Sequence, residues 1–341
     1  MTDRALVLGL PLLHEAGRQA LRAHYRLIEH DDPAQVAQDI AEADALYAYP
    51  PMKVTAPVIA NARRLKVIAA AGSGVDHIDL VAARADGIVV THAVGAGALS
   101  VAEHAIGHVL CLAKRLLELD CAVREGGRFG PRLDNPYEEI SGRTLAIVGF
   151  GAIGRELARI SARGFGMDVI AVTRDGAPVH DDNVQRTLPL HEALAMADIV
   201  SVHTPLTPAT RGLVGRTELA CMKPTAWLVD TSRGGVVDAA ALYEALARGR
   251  LAGAALDVFD PEPPPTSHPL LSLPNVIVSP HCAGITRSAY RRLSLAAAAD
   301  IDHALRGLRP PGLVTPESWA GSRAAALSSR SERTIQPGEL Q

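Results

Sequence analysis

Thr144 to Arg155, reading TLAIVGFGAIGR, is the stretch that most restricts what this chain can fold into. Thr144-Leu145-Ala146-Ile147-Val148 is a short apolar run of the kind that forms a buried strand. Gly149, Gly151 and Gly154 follow in G-x-G-x-x-G spacing, and RELARISAR from Arg155 onward favours a helix. Strand, glycine turn and helix in that order let the backbone approach a pyrophosphate. The helix N-terminus then offers it unpaired N–H groups and a partial positive charge. A lone glycine pattern also occurs in turns that hold nothing; the flanking strand and helix are what give this one weight.

A chain of 341 residues is long enough for two domains with their own cores. Its balance of 48% hydrophobic and 21% charged residues fits a soluble globular protein. A net charge of −3 argues against a nucleic-acid or anionic-membrane footprint. The stretch from Gly87 to Ala102 is too short and too broken by glycines to span a bilayer. The N-terminal MTDRALVLGLPLLHEAG has no long apolar core and cleavage site of a signal peptide. Cys111, Cys121, Cys221 and Cys282 are far apart in sequence and make no C-x-x-C pair. They read as reduced thiols in a cytoplasm, with no zinc site.

Residues 1 to about 92 alternate strand-like and helix-like pieces, which implies a parallel sheet with crossover helices. The strand candidates are Ala5–Leu8, Ala45–Ala48, Lys66–Ala70 and Ile88–Thr91. Gly95 to Ser100 imitates a second glycine turn, but Ser100-Val101-Ala102-Glu103 reads better as a capping box opening a helix from Val101 to Leu117. Beyond Val148, strands are predicted at Val169–Thr173, Ile199–His203, Ala226–Thr231, Gly253–Val258 and Val276–Ser279. With the first strand that makes six, as in a doubly wound dinucleotide domain. A helix over Ala239–Arg248 is bracketed by Asp238 and Gly249, and a last helix runs over Ser288–Leu305. From about Ser322 the polar tail has little to bury and is expected to be disordered.

Open α/β sheets place ligands at the carboxyl ends of their strands. Arg233, Glu262 and His281 each stand just past a different predicted strand. An arginine grips a carboxylate with a two-pronged contact, a histidine exchanges a proton near neutral pH, and a carboxylate orients the histidine ring. With a nicotinamide, that set suits reduction of a 2-oxo acid. Taken singly, Arg233 reads as an ion-pair arginine, His281 as a structural histidine and Asp257 as a cap; the joint placement carries the reading. Asp260 rivals Glu262 as the carboxylate, while Asp76, His77 and Asp79 read as turn and cap residues.

From about Ala45 to Pro316 the chain resembles the D-isomer-specific 2-hydroxyacid dehydrogenase family. The resemblance rests on AAGSGVDHIDL (70–80), SVAEHAIGHVLCLAKRL (100–116), GRTLAIVGFGAIGRELA (142–158), HTPLTPATRGLV (203–214), VDTSRGGVVDAAAL (229–242), GAALDVFDPEPPP (253–265) and SPHCAGIT (279–286). It implies an α/β architecture of two domains. A Rossmann dinucleotide-binding domain covers 96–285, a smaller flavodoxin-like substrate domain covers 1–95 and 286–320, and a tail covers 321–341. It further implies a homodimer through the cofactor domain. By the resemblance Arg233 binds and polarises the 2-oxo acid, Glu262 pairs with His281, and His281 is the general acid in reduction and base in oxidation. The cofactor falls to Gly149-Phe150-Gly151-Ala152-Ile153-Gly154, Thr173, Arg174, His203-Thr204-Pro205, Thr231, Ser232, Asp257 and His281. Asp257 is assigned to the nicotinamide carboxamide. The substrate falls to Tyr49, Arg233 and the backbone of Ser73-Gly74-Val75.

The acidic residue that would accept the ribose hydroxyls of NAD is expected where Thr173 stands, and Arg174 follows it. A neutral residue with an adjacent arginine suits a 2′-phosphate, so NADP is favoured over NAD, with Asp175 as the counter-argument. Resembling phosphoglycerate dehydrogenases carry an arginine where Tyr49 stands, and the chain ends without an extra regulatory domain. Glyoxylate or hydroxypyruvate is therefore the expected substrate, with Tyr49, Pro50 and Met52 as pocket wall or core. Larger 2-oxo acids, phosphoglycerate and a cofactor-sensing scaffold without turnover are the alternatives.

Overall fold

The computed structural model describes residues 5–49, 52–126, 136–174 and 176–327. Pro50, Asp175 and the tail from 328 lie outside the described residues. The chain divides into two compact units, Met1–Gly97 with Thr286–Gln341 and Ala98–Ile285.

The first unit holds strands β1 (Leu6–Gly9), β2 (Arg26–Glu29), β3 (Ala45–Ala48), β4 (Val67–Ala70) and β5 (Val89–His92). They form a parallel sheet in the order β2-β1-β3-β4-β5, the flavodoxin-like order. β3 and β4 read ALYA and VIAA and are buried at every position, as both faces of a covered parallel sheet must be. Alternate residues face opposite ways. Leu8, Leu46, Ile68 and Val90 join the helices carrying Val36, Ile40, Ile59 and Ala83. Val7, Tyr47, Val67 and Val89 pack on the helix Arg287–Leu305 through Ala297, Ala298, Ile301 and Ala304. Met52 is a core residue of this unit, 1% exposed. Asp79 caps the helix Leu80–Ala85 by accepting from the Ala82 N–H.

β2 was not foreseen, because RLIE has only two apolar residues, as an edge strand allows. Ser322 to Leu327 also depart from the expected disorder. Ala324 is buried, and the Arg323 guanidinium donates to the carbonyls of Ala62, Arg63 and Leu65.

The second unit holds β6 (Thr144–Val148), β7 (Asp168–Val172), β8 (Arg186–Thr187), β9 (Ile199–Val202), β10 (Trp227–Asp230), β11 (Gly253–Leu256) and β12 (Val276–Val278). The parallel sheet runs β12-β11-β10-β9-β6-β7-β8. Order therefore reverses at β6, whose neighbours are β7 on one side and β9 on the other. That is the switch point at which doubly wound sheets bind ligands. β8, only two residues long, adds a seventh strand to the six predicted.

Asp238 caps the helix Ala239–Ala247 as foreseen, accepting from Ala240 and Ala241, and Gly249 follows in the left-handed region. The capping box is corrected. The helix begins at Ala98, so Ser100 sits inside its first turn and is 4% exposed. Gly95, at φ 75°, turns the chain earlier, and Ala98-Leu99 extend the helix toward it. That helix ends at Lys114; Arg115 adopts φ 52°, and a second helix, Leu116–Arg124, follows. No described helix is long and apolar enough to cross a membrane.

Candidate active site

The glycine turn is built for a close ligand. Gly149 has φ 99°, and a Cβ there would lie 2.9 Å from the His203 and Thr204 backbone. A Cβ on Gly154 would lie 2.7 Å from the Gly149 carbonyl oxygen. The helix Ala152–Phe165 starts at Gly151 with no side-chain cap, so its first N–H groups stay available. This arrangement fits the pyrophosphate of a dinucleotide. Phe150 lies under the Arg155 guanidinium at 5.1 Å, and Ala152 and Ile153 form the first helical turn. At the end of β7 the Thr173 hydroxyl donates to the Ala177 carbonyl, which fixes the turn that leaves Arg174 exposed.

His203, just past β9, bridges two strand ends. Its Nε2 pairs with Ser201 Oγ at 2.8 Å and its Nδ1 with Thr231 Oγ1 at 3.2 Å. Desolvation pushes this imidazole down to about 4, so the ring is neutral at pH 7. Thr204 and Pro205 continue the loop beside Gly149.

Past β10, Asp230 accepts from the Ser232 N–H at 2.9 Å and from the Ser232 hydroxyl at 2.5 Å. Burial pushes its carboxyl up to about 7 against those bonds and the charge of Arg233. Asp230 thus ties down the turn that presents Arg233, whose Nη1 donates to the Ser232 carbonyl. Gly234 lets that turn lie on the next loop, since a Cβ would fall 1.8 Å from the Phe259 carbonyl oxygen.

Past β11 come Asp257 and Glu262. Glu262 Oε2 lies 2.7 Å from His281 Nδ1, and its Oε1 accepts from the Phe259 N–H at 3.0 Å. Burial would raise the Glu262 carboxyl, but the bond from His281, the Phe259 N–H and the charges of His281 and Arg233 together hold it below the usual carboxylate range. Glu262 therefore feels both of the other candidates. Asp260, the rival, is engaged elsewhere, accepting from Arg211 Nη1 at 3.1 Å. Glu262 and His281 line one cavity with Asp257, Phe259, Pro263 and Ser279.

His281 adopts φ 49°, a strained conformation for a side chain of its size. Asp257 holds it there. Its backbone carbonyl accepts from the His281 N–H at 2.8 Å. Its Oδ1 accepts from the Ser279 hydroxyl at 2.5 Å and the Cys282 N–H at 3.0 Å, and its Oδ2 accepts from Ala283 N–H at 2.9 Å. At 1% exposure Asp257 is first of all a clamp on the His281 loop. Ser279 Oγ also meets His104 Nε2 at 3.0 Å and His108 Nε2 at 3.4 Å. Burial pushes the His108 imidazole down to about 4.

Sequence reasoning missed Asp230, Ser279, His104 and His108. The available signals were two histidines four apart on one helix and a serine at a strand tip. In the first unit, Tyr49 follows β3 half-buried, and Ser73-Gly74-Val75 follow β4, with the Ser73 carbonyl bound to His92 Nδ1 at 2.8 Å.

Residues 106–283 match the profile described as "D-isomer specific 2-hydroxyacid dehydrogenase, NAD binding domain". A glyoxylate reductase of Thermofilum pendens is 39% identical over 294 residues, spanning 83% of this chain and 84% of that protein. A D-3-phosphoglycerate dehydrogenase of Methanocaldococcus jannaschii is 38% identical over 80% of this chain, which spans only 52% of that protein. Among solved structures, an NADPH-dependent glyoxylate/hydroxypyruvate reductase of Sinorhizobium meliloti, in complex with NADP and malonate, aligns with TM-score 0.80 and 27% identity. That alignment covers 92% of this chain and 97% of the other.

Proposed function

The chain belongs to the D-isomer specific 2-hydroxyacid dehydrogenase family, and we propose that it reduces a small 2-oxo acid, glyoxylate or hydroxypyruvate, to the D-2-hydroxy acid. The observation that carries this reading is the 2.7 Å pair of Glu262 and His281, with the Arg233 charge acting on the same carboxylate. The Gly149–Gly154 turn holds the dinucleotide pyrophosphate, with His203, Thr204, Pro205, Thr231, Ser232 and Asp257 lining the rest of its path. When bound, the nicotinamide supplies the hydride. Glu262 keeps a proton on His281 Nδ1, which turns Nε2 toward the substrate. His281 Nε2 then gives its proton to the carbonyl oxygen as that oxygen gains charge, and takes it back in the oxidative direction. Arg233 grips and polarises the 2-oxo acid.

NADPH is the assigned reductant, because Thr173 cannot repel a 2′-phosphate and the exposed Arg174 can pair with it. The Sinorhizobium meliloti relative has the same preference by name. A homodimer through the cofactor unit is supported by Leu116, Leu117 and Val123, exposed on one helix of that unit. Free cysteines accord with a reducing compartment. The deciding experiment is steady-state kinetics on glyoxylate, hydroxypyruvate, pyruvate and phenylpyruvate with NADPH and NADH. The reading expects the highest kcat/KM on the first two with NADPH, and an Arg233→Ala loss of at least 10²-fold, on the order of a lost oxyanion contact. Cofactor binding with no turnover on any acid would instead establish a scaffold.

A further inference from the structure

We propose that His104, Asp257 and Cys282 form a binding site for a thiophilic divalent cation of the zinc class. The cysteine spacing of the sequence shows no such site, because the donors come from three separate elements: the helix Ala98–Lys114, the loop after β11 and the loop after β12. Their nitrogen, oxygen and sulfur atoms all lie within 4.8 Å of one another, and His104 Nε2 is 3.8 Å from Asp257 Oδ1. Metal–ligand bonds of about 2.0–2.3 Å in a tetrahedral site put donors roughly 3.3–3.8 Å apart, so closing the site takes shifts of about an ångström or less. The Ser279 hydroxyl already sits between two of the donors, bonded to His104 Nε2 and Asp257 Oδ1. The hydroxyl donates to Asp257 Oδ1 and so accepts from His104 Nε2–H; a cation would take the carboxylate oxygen, and Nε2 once its ring proton has moved to Nδ1.

A mixed thiolate, imidazole and carboxylate set selects zinc over calcium or magnesium, which take oxygen ligands. Three protein donors leave a fourth position for water. On binding, the Cys282 thiol gives its proton to solvent and its sulfur bonds the cation. His108, 6% exposed and edge-on to His104 with ring centroids 4.3 Å apart, backs the ligand ring and has an Nδ1 without a hydrogen-bond partner. Cys282 directly follows His281, so an occupied site immobilises the loop that carries the proposed acid and competes for Asp257. Loss of turnover on cation binding rests on the proposed function; the site itself does not.

The test is titration of the chelator-treated full-length protein with cobalt(II), a spectroscopic stand-in for zinc. The expected result is a one-to-one thiolate-to-cobalt charge-transfer band, bleached by zinc. The band should vanish in Cys282→Ala and Cys282→Ser and require at least tenfold more cobalt in His104→Gln. It should persist in Cys221→Ser. A band that is absent, or that survives both Cys282 substitutions in protein with unchanged circular dichroism, overturns the site. In parallel, zinc should lower the turnover of the parent protein but not that of Cys282→Ala relative to its own metal-free rate. A cobalt band in a protein with no turnover leaves the site standing and removes the dehydrogenase reading instead. A cobalt band with zinc-insensitive turnover removes the inhibitory effect.

Discussion

Replacing Asp257 with asparagine tests the clamp on the His281 loop without changing side-chain volume. The carboxylate accepts three hydrogen bonds, from the Ser279 hydroxyl, the Cys282 N–H and the Ala283 N–H, at a position 1% exposed. An asparagine keeps one acceptor oxygen. If that oxygen stays toward Ser279 and Cys282, the new NH2 faces the Ala283 N–H, donor against donor. If it turns toward Ala283, the Cys282 N–H loses its acceptor, while the Ser279 hydroxyl can rotate to accept. Either way one buried backbone donor is orphaned, at about 1–3 kcal/mol, and the remaining bonds lose their charge assistance, at about 1 kcal/mol each. The expected destabilisation is about 2–5 kcal/mol. The assay is urea unfolding of the parent and the variant, following the transition of the cofactor unit through Trp227 fluorescence, with ΔΔG from the midpoint shift at a common slope. Turnover should fall in step, because the backbone of His281 at φ 49° is tied to Asp257 and relaxes when the clamp opens. An Asp257→Asn protein within about 0.5 kcal/mol of the parent, the usual spread for surface changes, and with intact kcat refutes the clamp.

Glu262→Gln keeps the shape beside His281 but removes the charge that orients its Nδ1, and steady-state assays should show kcat lower by about 10²-fold or more with little change in cofactor affinity. Gly154→Ala puts a methyl 2.7 Å from the Gly149 carbonyl oxygen, so the turn must open at about 1–3 kcal/mol; NADPH titration followed by nucleotide fluorescence should give a weaker Kd, and equal affinity would show that the turn has slack. The His203 imidazole, pushed down to about 4 by desolvation, binds fewer protons folded than unfolded between pH 6.5 and 4. Its contribution is therefore complete above pH 6.5 and is lost as pH falls through 4, by about 1–3 kcal/mol. Urea midpoints of the parent should drop faster over that window than those of His203→Gln, and parallel profiles would place the acid sensitivity elsewhere.

What was legible in the sequence was what local geometry enforces. The glycine turn declares itself because its demands are largely local: Gly149 takes φ 99°, and a Cβ on Gly154 would meet the Gly149 carbonyl oxygen within the same six residues. The cap at Asp238 is equally local. Ser100 shows the limit of such signals. Ser-x-x-Glu is a sound start signal, yet Gly95 and Ala98-Leu99 offered an earlier start and the hydroxyl ended inside the helix. The polar network behind His281 had no local signature. Asp257 meets its donors 22, 25 and 26 residues away, and Ser279 meets His104 across 175 residues. Arg323 is the extreme case, with carbonyl partners about 260 residues upstream.

This division has a chemical consequence. The residues proposed to touch the substrate were readable because each follows a strand tip, and strand tips are readable from apolar runs. The groups that set their posture also stand at strand tips: Asp230 ends β10, three residues before Arg233, and Asp257 follows β11, the strand beside the one that leads to His281. A buried carboxylate at such a place is costly unless several donors meet it. Each of these two is met by backbone N–H groups of the very loop that carries the reactive side chain. Burial cost and loop posture are therefore one quantity: whatever neutralises either carboxylate frees the loop above it. For Asp230, whose carboxyl burial pushes up to about 7, protonation does this within the physiological range, so Asp230→Asn should flatten the acid limb of the pH–kcat/KM profile. An acid limb that keeps its midpoint in Asp230→Asn would assign that proton to another group and break the link between buried carboxylate and loop posture.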